Sequence, residues 1–216
     1  MTNYAKLLDE ELAKITASNI RPRLLLHACC APCSSYTLEY LTKYFDITLF
    51  FYNPNIAPEE EYDFRAAELS RFLSAHPACG RVKLSVAAYD SAPFFAMAKG
   101  LEDVPEGGER CMKCYRLRLA ETAKAAKEGG FDYFCTTITL SRHKNAVLIN
   151  ELGEQAAEAY GVRWLPSDFK KRDGENRSVE LCDIYNVYRQ LYCGCEFSLH
   201  LRQETAKAMG KESNEN

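Results

Sequence analysis

Seven of the ten cysteines fall into three short motifs, and this clustering is the strongest chemical signal in the chain. The motifs are HACCAPCSS, ERCMKCY and YCGCEFS, and their cysteines are Cys29, Cys30, Cys33, Cys111, Cys114, Cys193 and Cys195. In a reducing cytosol, clustered thiols indicate metal or redox chemistry rather than a disulfide framework. Seven thiols exceed the four that one zinc ion or one 4Fe-4S cluster needs. The sequence therefore predicts a cluster with a neighbouring mononuclear site, or a cluster with redox-active thiols.

The residues around each motif suit metal binding. Cys111 and Cys114 form a C-x-x-C at the predicted start of a helix, where free N–H groups and the helix dipole favour thiolates. Gly194 gives the C-G-C motif the freedom to turn both sulfurs toward one centre. Adjacent side chains diverge, so Cys29 and Cys30 are expected to serve different atoms or different centres. A zinc knot with spare buried cysteines is the structural alternative, and three cysteines are expected to be structural: Cys79, Cys135 and Cys182.

Polar residues near these motifs are candidates for proton transfer and substrate binding. Asp168 is a candidate proton donor or metal ligand, and Tyr115 and Tyr192, which flank cysteines, could supply a proton or pack on a base. The candidate contacts to ribose, base or phosphate are Asn53, Asn55, Arg110, Arg116, Ser141, Lys144 and Lys170. Asx turns, a cover over the metal centre and ordinary surface charge are the alternative explanations for the asparagines, the tyrosines and the lysines.

The segments that must position these residues alternate between strand and helix. The expected strands are 23–27, 46–55, 81–89, 131–140 and 162–165, and the expected helices are 3–18, 34–44, 58–76, 111–127 and 144–160. Strands separated by helices pair in parallel through right-handed crossovers. The fold class is therefore predicted as α/β, with a Rossmann-like doubly wound parallel sheet of about five strands and a C-terminal helical extension.

Ligands of such sheets bind beyond the carboxyl ends of the strands, where the first cysteine motif and most of the polar candidates fall. The prediction is one catalytic, metal-binding domain over residues 1–216. Residues 179–216 are expected to form a helical tail that folds back and supplies the C-G-C ligands. The motif after strand one occupies the place of an ATP-binding loop, and no G-x-G-x-x-G or Walker motif is present, so ATP use is not expected.

Charge and hydropathy limit the possible partners. A net charge of −3 and a pI of about 5.9 argue against a protein coated with nucleic acid. Bases are concentrated over residues 110–127 and in DFKKRDGENR, so a local face could bind phosphates. The first residues lack the apolar core of a signal peptide, and no stretch approaches the ~18 apolar residues of a membrane span. A soluble, cytoplasmic protein without a membrane partner is expected.

Taken in order and spacing, the motifs HACCAPCSS, FYNPNI, EEYDFR, GGERCMKCYRLRL, TTITLSRHKN, DFKKRDG and YRQLYCGCEFS resemble the non-cobalamin epoxyqueuosine reductases of the QueH family. The resemblance runs from about Arg23 to Leu199. It implies a Rossmann-like fold of the adenine-nucleotide-hydrolase (HUP) type. It also implies the last step of queuosine synthesis, in which epoxyqueuosine at the wobble position of tRNA loses its epoxide oxygen.

The resemblance implies a 4Fe-4S cluster and an adjacent mononuclear iron bound by thiolates and an acidic residue. Some members carry Asp where this chain has Cys33, so an all-thiolate iron is expected here. The expected division gives Cys29, Cys30, Cys111 and Cys114 to the cluster, and Cys33, Cys193 and Cys195 to the iron.

Partners and rival functions complete the expectation. An external electron donor such as ferredoxin or flavodoxin is implied, because the chain has no flavin or nicotinamide motif. The tRNA anticodon loop is expected over the basic C-x-x-C helix. The rivals are an iron–sulfur tRNA-thiolating enzyme of the ATP-pyrophosphatase type and a zinc-binding RNA module.

Overall fold

The computed structural model describes residues 2–203 and has a five-stranded parallel sheet at its centre. The strands are β1 (Arg23–His27), β2 (Asp46–Phe51), β3 (Lys83–Val86), β4 (Tyr133–Thr136) and β5 (Arg163–Trp164). Their spatial order is β3-β2-β1-β4-β5, and every neighbouring pair is parallel. The chain steps outward from β1 in one direction and then crosses to β4 on the other side. The predicted Rossmann-like doubly wound fold is confirmed, and its topological switch point lies between β1 and β4.

Helices cover the sheet within the described part of the chain. They are α1 (Tyr4–Ser18), α2 (Ala31–Leu41), α3 (Glu59–Ala75), α4 (Ala92–Ala98), α5 (Glu109–Glu128), α6 (Ala146–Tyr160) and α7 (Gly174–Ile184). Helix α2 packs on α3 and α7, whereas α5 packs on α6, β1 and β4. Helices on both faces explain why Leu24 and Leu26 of β1 are completely buried, as is usual for a parallel strand.

Several element boundaries differ from the expected ones for local reasons. Helix α2 begins at Ala31 because Pro32 fits the first turn, where no backbone N–H is needed. Strand β4 ends at Thr136, whose side chain accepts a hydrogen bond from the Ile138 N–H and starts a 3-10 turn over Thr137–Leu140. Helix α4 was not predicted, because its apolar run is short and lacks a clear period.

The C-terminal segment lies against the body of the fold. After α7 the chain runs without regular structure to residue 195, and residues 196–203 are helical. Arg71 of α3 donates to the carbonyls of Tyr185 and Asn186, at 3.1 and 2.9 Å. The Ala57 N–H donates to the Gly194 carbonyl at 3.0 Å. These contacts hold the C-G-C motif against α3 and the loop that follows β2. Residues 204–216 of the predicted tail lie outside the described residues.

No helix within residues 2–203 combines the length and apolar character needed to cross a bilayer.

Candidate metal centre

The first cysteine motif lies at the switch point, in the turn from β1 into α2. Cys30 is the residue that precedes the first turn of α2, and its backbone is extended there. Cys29 lies beside the loop after β4, with its N–H 3.2 Å and its sulfur 3.3 Å from Thr137 Oγ1. The sulfurs of Cys29, Cys30 and Cys33 all lie within 4.8 Å of one another. We call these three residues the triad. Within residues 2–203, they form a group that could hold one metal ion.

Each thiol of the triad changes the pKa of the other two. Hydrogen bonds from Cys30, and then from Cys33, lower the pKa of the Cys29 thiol well below its ordinary value. The Cys29 sulfur in turn raises the pKa of Cys30 and of Cys33. Closely spaced sulfurs of which one ionises easily are suited to replacing protons with a metal ion, because a bound cation favours the thiolate form of every ligand.

The other two motifs come together as a second group. Cys111 and Cys114 lie in the first turns of α5, and Cys114 packs with Cys195 against Phe94 and Ala98. Burial raises the pKa of Cys114 to about 11, and the nearby sulfurs of Cys193 and Cys111 add to this shift. Burial and the Cys193 sulfur raise the pKa of Cys195 to about 12. We call Cys111, Cys114, Cys193 and Cys195 the quartet.

The C-G-C loop is held in place by Arg65 of α3. Its guanidinium is buried, donates to Glu61 at 2.7 Å and to the Cys193 carbonyl at 3.3 Å, and lies over the Tyr192 ring. Gly194 has a φ of +112°, a backbone conformation that residues with a Cβ rarely adopt. Arg65 and Gly194 therefore set the direction in which the two sulfurs of the motif point.

Replacement of Gly194 by alanine is expected to empty the quartet of metal. A Cβ at this position would lie 2.8 Å from Ile56 Cγ1 and 3.0 Å from Arg65 Nη1, in addition to the backbone strain. Strain of this kind costs about 1–3 kcal/mol, and relief of the clash would move the loop and its sulfurs. Iron and acid-labile sulfide per chain, measured after anaerobic reconstitution, should fall well below wild type.

Gly100→Ala is the matched control. Gly100 also has a positive φ, +79°, but a Cβ there would meet open space. This variant should lower the free energy of unfolding by about 1–2 kcal/mol and leave the metal content unchanged. Equal metal content in both glycine variants would show that the C-G-C geometry does not depend on Gly194.

A cavity of about 620 Å³ opens over both groups of cysteines. Its wall includes the triad, Cys193 of the quartet, Tyr115 and Lys144. The remaining wall is formed by Glu106, Gly107, Arg118, Ile138, Ser141, His143, Gln190, Leu191, Tyr192, Ser198, Leu201 and Arg202. A volume of this size is typical of sites for small molecules and cofactors. The sulfurs of the triad and of Cys193 thus border a space that can admit a substrate.

Lys144 and Tyr115 bring protons to this cavity. Lys144 Nζ lies 3.1 Å from Glu106 Oε1 and 3.9 Å from Cys193 Sγ. Burial lowers the pKa of Lys144, but the Cys193 sulfur, Tyr115 and Glu106 outweigh burial and raise the pKa. Burial raises the pKa of the Tyr115 phenol. Both groups are therefore protonated at neutral pH.

Three of the predicted substrate contacts are buried and lie outside the cavity wall. Asn53 is buried, donates to the Ala28 carbonyl at 2.9 Å and accepts from Arg118 at 2.6 Å. Asn55 is also buried, and neither asparagine lines the cavity. Arg110 is 4% exposed, and its guanidinium donates to the carbonyls of residues 101 and 102 and lies over Phe197. The fold encloses the polar groups of these three side chains away from the cavity wall, and their contact with ribose or phosphate stays a prediction.

The other predicted residues divide by position. Ser141, Lys144, Tyr115 and Tyr192 line the cavity. Arg116 is exposed on α5, outside the cavity. Asp168 accepts a hydrogen bond from Lys170 at 2.5 Å, and neither residue lines the cavity. The two side chains pair with each other outside the cavity wall, and their predicted roles at the reaction site stay predictions.

The grouping of the sulfurs also differs from the expected one. The sulfurs of Cys29 and Cys30 do not diverge but lie 3.7 Å apart, because the chain turns into α2 at this point. Cys33 lies with them, one turn into the helix, instead of with the C-G-C motif. Cys195 packs with Cys114.

Sequence reasoning missed Arg118 and Glu106. Arg118 is completely buried, and its spacing in C-x-x-C-x-x-x-R places it on the helix face that carries Cys111 and Cys114. That spacing was the available signal. Glu106 precedes α5 in a polar loop, and its sequence neighbours give no sign of its contact with Lys144.

Comparison with known proteins agrees with this architecture. The family model described as epoxyqueuosine reductase QueH matches residues 24–201. An epoxyqueuosine reductase QueH of Staphylococcus epidermidis is 47% identical over 98% of this chain and 90% of its own length. The corresponding proteins of Staphylococcus aureus and Thermotoga maritima are 46% and 33% identical, over 98% and 84% of this chain and 90% and 92% of their own lengths. The chain belongs to the epoxyqueuosine reductase QueH family.

Proposed function

We propose that this chain removes the epoxide oxygen of epoxyqueuosine in tRNA and so produces queuosine. The reaction consumes two electrons and two protons, breaks both C–O bonds of the epoxide, and releases the oxygen as water. The observation that supports it best is the cavity at the switch point, whose wall contains the three thiols of the triad and Cys193 of the quartet. A substrate in this cavity would contact the thiols that can bind metal and, at the same time, side chains that can donate protons.

The chemistry of the sulfur groups fits the two metal sites that the proposal requires. All ten cysteines of the chain are free, so none of these sulfurs is used in a disulfide. The quartet offers four thiolates from two segments, the number that a 4Fe-4S cluster takes. The more closely spaced triad suits a single iron. When bound, the cluster supplies electrons one at a time and the iron supplies a Lewis acid.

Lys144 and Tyr115 are the proposed proton donors for the departing oxygen. Both side chains line the cavity, and both are protonated at neutral pH for the reasons given above. Glu106 holds the Lys144 ammonium at 3.1 Å and accepts a hydrogen bond from Ser198 at 3.2 Å. This pairing fixes the position of the Lys144 ammonium in the cavity wall, 3.9 Å from Cys193 Sγ.

The mouth of the cavity suits a modified nucleotide extruded from an anticodon loop. Tyr192 and Leu191 offer flat and apolar surface to a base, and Leu191 is 69% exposed. Arg202 adds positive charge to the same wall, although the chain as a whole is acidic. Bases of single-stranded RNA are bound by stacking and by contacts of this kind to phosphates. A ferredoxin or flavodoxin is the proposed electron donor.

The direct test is anaerobic incubation of the reconstituted protein with tRNA that contains epoxyqueuosine and a chemical reductant. Digestion of the tRNA and mass analysis of the nucleosides should show conversion of epoxyqueuosine to a product that lacks one oxygen atom. Unchanged epoxyqueuosine with fully loaded protein would contradict the proposal.

Lys144→Met is expected to reduce turnover by about 100-fold, because general acid catalysis typically contributes at least this factor. Lys170→Met is the matched control, since Lys170 pairs with Asp168 away from the cavity. Single-turnover rates with saturating tRNA separate this effect from weaker binding. Equal rates in the two variants would exclude Lys144 as the proton donor.

A further inference from the structure

Arg118 is a buried cation whose charge is not balanced by a carboxylate. The residue is 2% exposed, and within residues 2–203 no Asp or Glu forms a salt bridge with it. Its neutral acceptors are Asn53 Oδ1 at 2.6 Å and His27 Nε2 at 3.3 Å. A buried charge is costly unless another charge compensates it. The fold therefore requires negative charge near this guanidinium.

Arg118 lines the cavity together with Cys29 of the triad and Cys193 of the quartet. Cys114 of the quartet lies one helical turn before Arg118 on α5. Burial lowers the pKa of Arg118, but the sulfurs of Cys114, Cys29 and Cys193 outweigh burial and raise this pKa. Asn53 links Arg118 further to the Ala28 carbonyl, directly before Cys29. Arg118 thus connects helix α5, through Asn53, to the turn after β1. Its positive charge lies beside cysteines of both the triad and the quartet.

We propose that Arg118 is a positioning residue that balances the thiolates of both groups, strengthens their grip on metal and raises the reduction potential of a cluster on the quartet. This deepens the proposed function, because it assumes that the sulfurs hold metal. The physical reason is electrostatic. Each added electron makes a thiolate-bound centre more negative, and a fixed cation in a low-dielectric site stabilises that charge.

The test compares Arg118→Gln, which removes the charge, with Arg118→Lys, which keeps it. Midpoint potentials are measured by redox titration of the reconstituted protein, and Co²⁺ affinity by the thiolate-to-metal absorption of the metal-free protein. Arg118→Gln should lower the potential and weaken Co²⁺ binding by about 10- to 100-fold, the usual effect of losing a residue behind the ligands. Arg118→Lys should keep most of the wild-type midpoint potential and most of the wild-type Co²⁺ affinity.

Two further variants separate charge from structure. Thr122→Val removes a buried hydrogen bond to the Arg118 carbonyl without a change in charge, and it should leave the potential unchanged. Asn53→Asp places a carboxylate against the intact guanidinium and should lower the potential as Arg118→Gln does, so it serves if Arg118→Gln does not fold. Equal losses in the Gln and Lys variants, or an unchanged potential in Arg118→Gln or Asn53→Asp, would overturn the proposal.

These measurements use no tRNA. A protein that binds metal but leaves epoxyqueuosine unchanged would refute the proposed function, and the role of Arg118 would still be read from the potentials and the Co²⁺ affinities.

Discussion

Replacement of Cys195 by alanine is expected to remove acid-labile sulfide and turnover together. Cys195 is 8% exposed and packs with Cys114, so no water or other side chain can take its place as a ligand without a rearrangement of the tail. Loss of one of the four thiolates weakens the binding of a 4Fe-4S cluster to the protein. Sulfide and iron analysis, together with the tRNA assay, measures both effects on the same sample.

Cys79→Ala is the control for this experiment. Cys79 is also buried, and burial raises the pKa of its thiol to about 12, but it belongs to neither group of sulfurs. It should retain full iron, sulfide and turnover. Wild-type sulfide in Cys195→Ala would show that this cysteine is not a cluster ligand.

Cys33→Ala is expected to abolish turnover while the sulfide content stays at the wild-type value. Cys33 belongs to the triad, whose sulfurs lie within 4.8 Å of one another, so its loss should release one iron and leave the quartet intact. This result separates the grouping in the structure from the expected division, in which Cys33 shared its iron with the C-G-C motif. Iron and sulfide per chain, measured in parallel with turnover, distinguish the grouping in the structure from the division expected from the sequence.

Cys33→Asp provides a matched variant that changes the ligand without removing it. A carboxylate is also an iron ligand, and Asp is close to Cys in size. This variant should retain the additional iron and part of the turnover. If Cys33→Ala instead loses its sulfide as Cys195→Ala does, then Cys33 is a cluster ligand and the proposed division is incorrect.

The fold was predictable because its signals are local. RLLLH at 23–27 is a short apolar run of the length and composition of a buried strand. Helices between successive strands favour parallel pairing. Boundaries were less predictable. Strand β4 ends at Thr136 because of one side-chain hydrogen bond, which no periodicity shows.

The site was predictable in composition but not in grouping. Spacing identifies the seven cysteines, but the approach of Cys195 to Cys114 depends on the path of the tail past Arg65. The burial of Asn53 and Arg110 follows from tertiary contacts as well, since both are polar residues that would ordinarily face solvent. The burial of Arg118 was not predicted, because a basic residue on a helix usually lies at the surface.

The most direct test of the two-group centre is the iron and acid-labile sulfide content of the wild-type protein after anaerobic purification. The proposal predicts about five iron atoms and about four sulfides per chain, with the excess iron lost in Cys33→Ala. A colourless protein that carries zinc and no sulfide would contradict it.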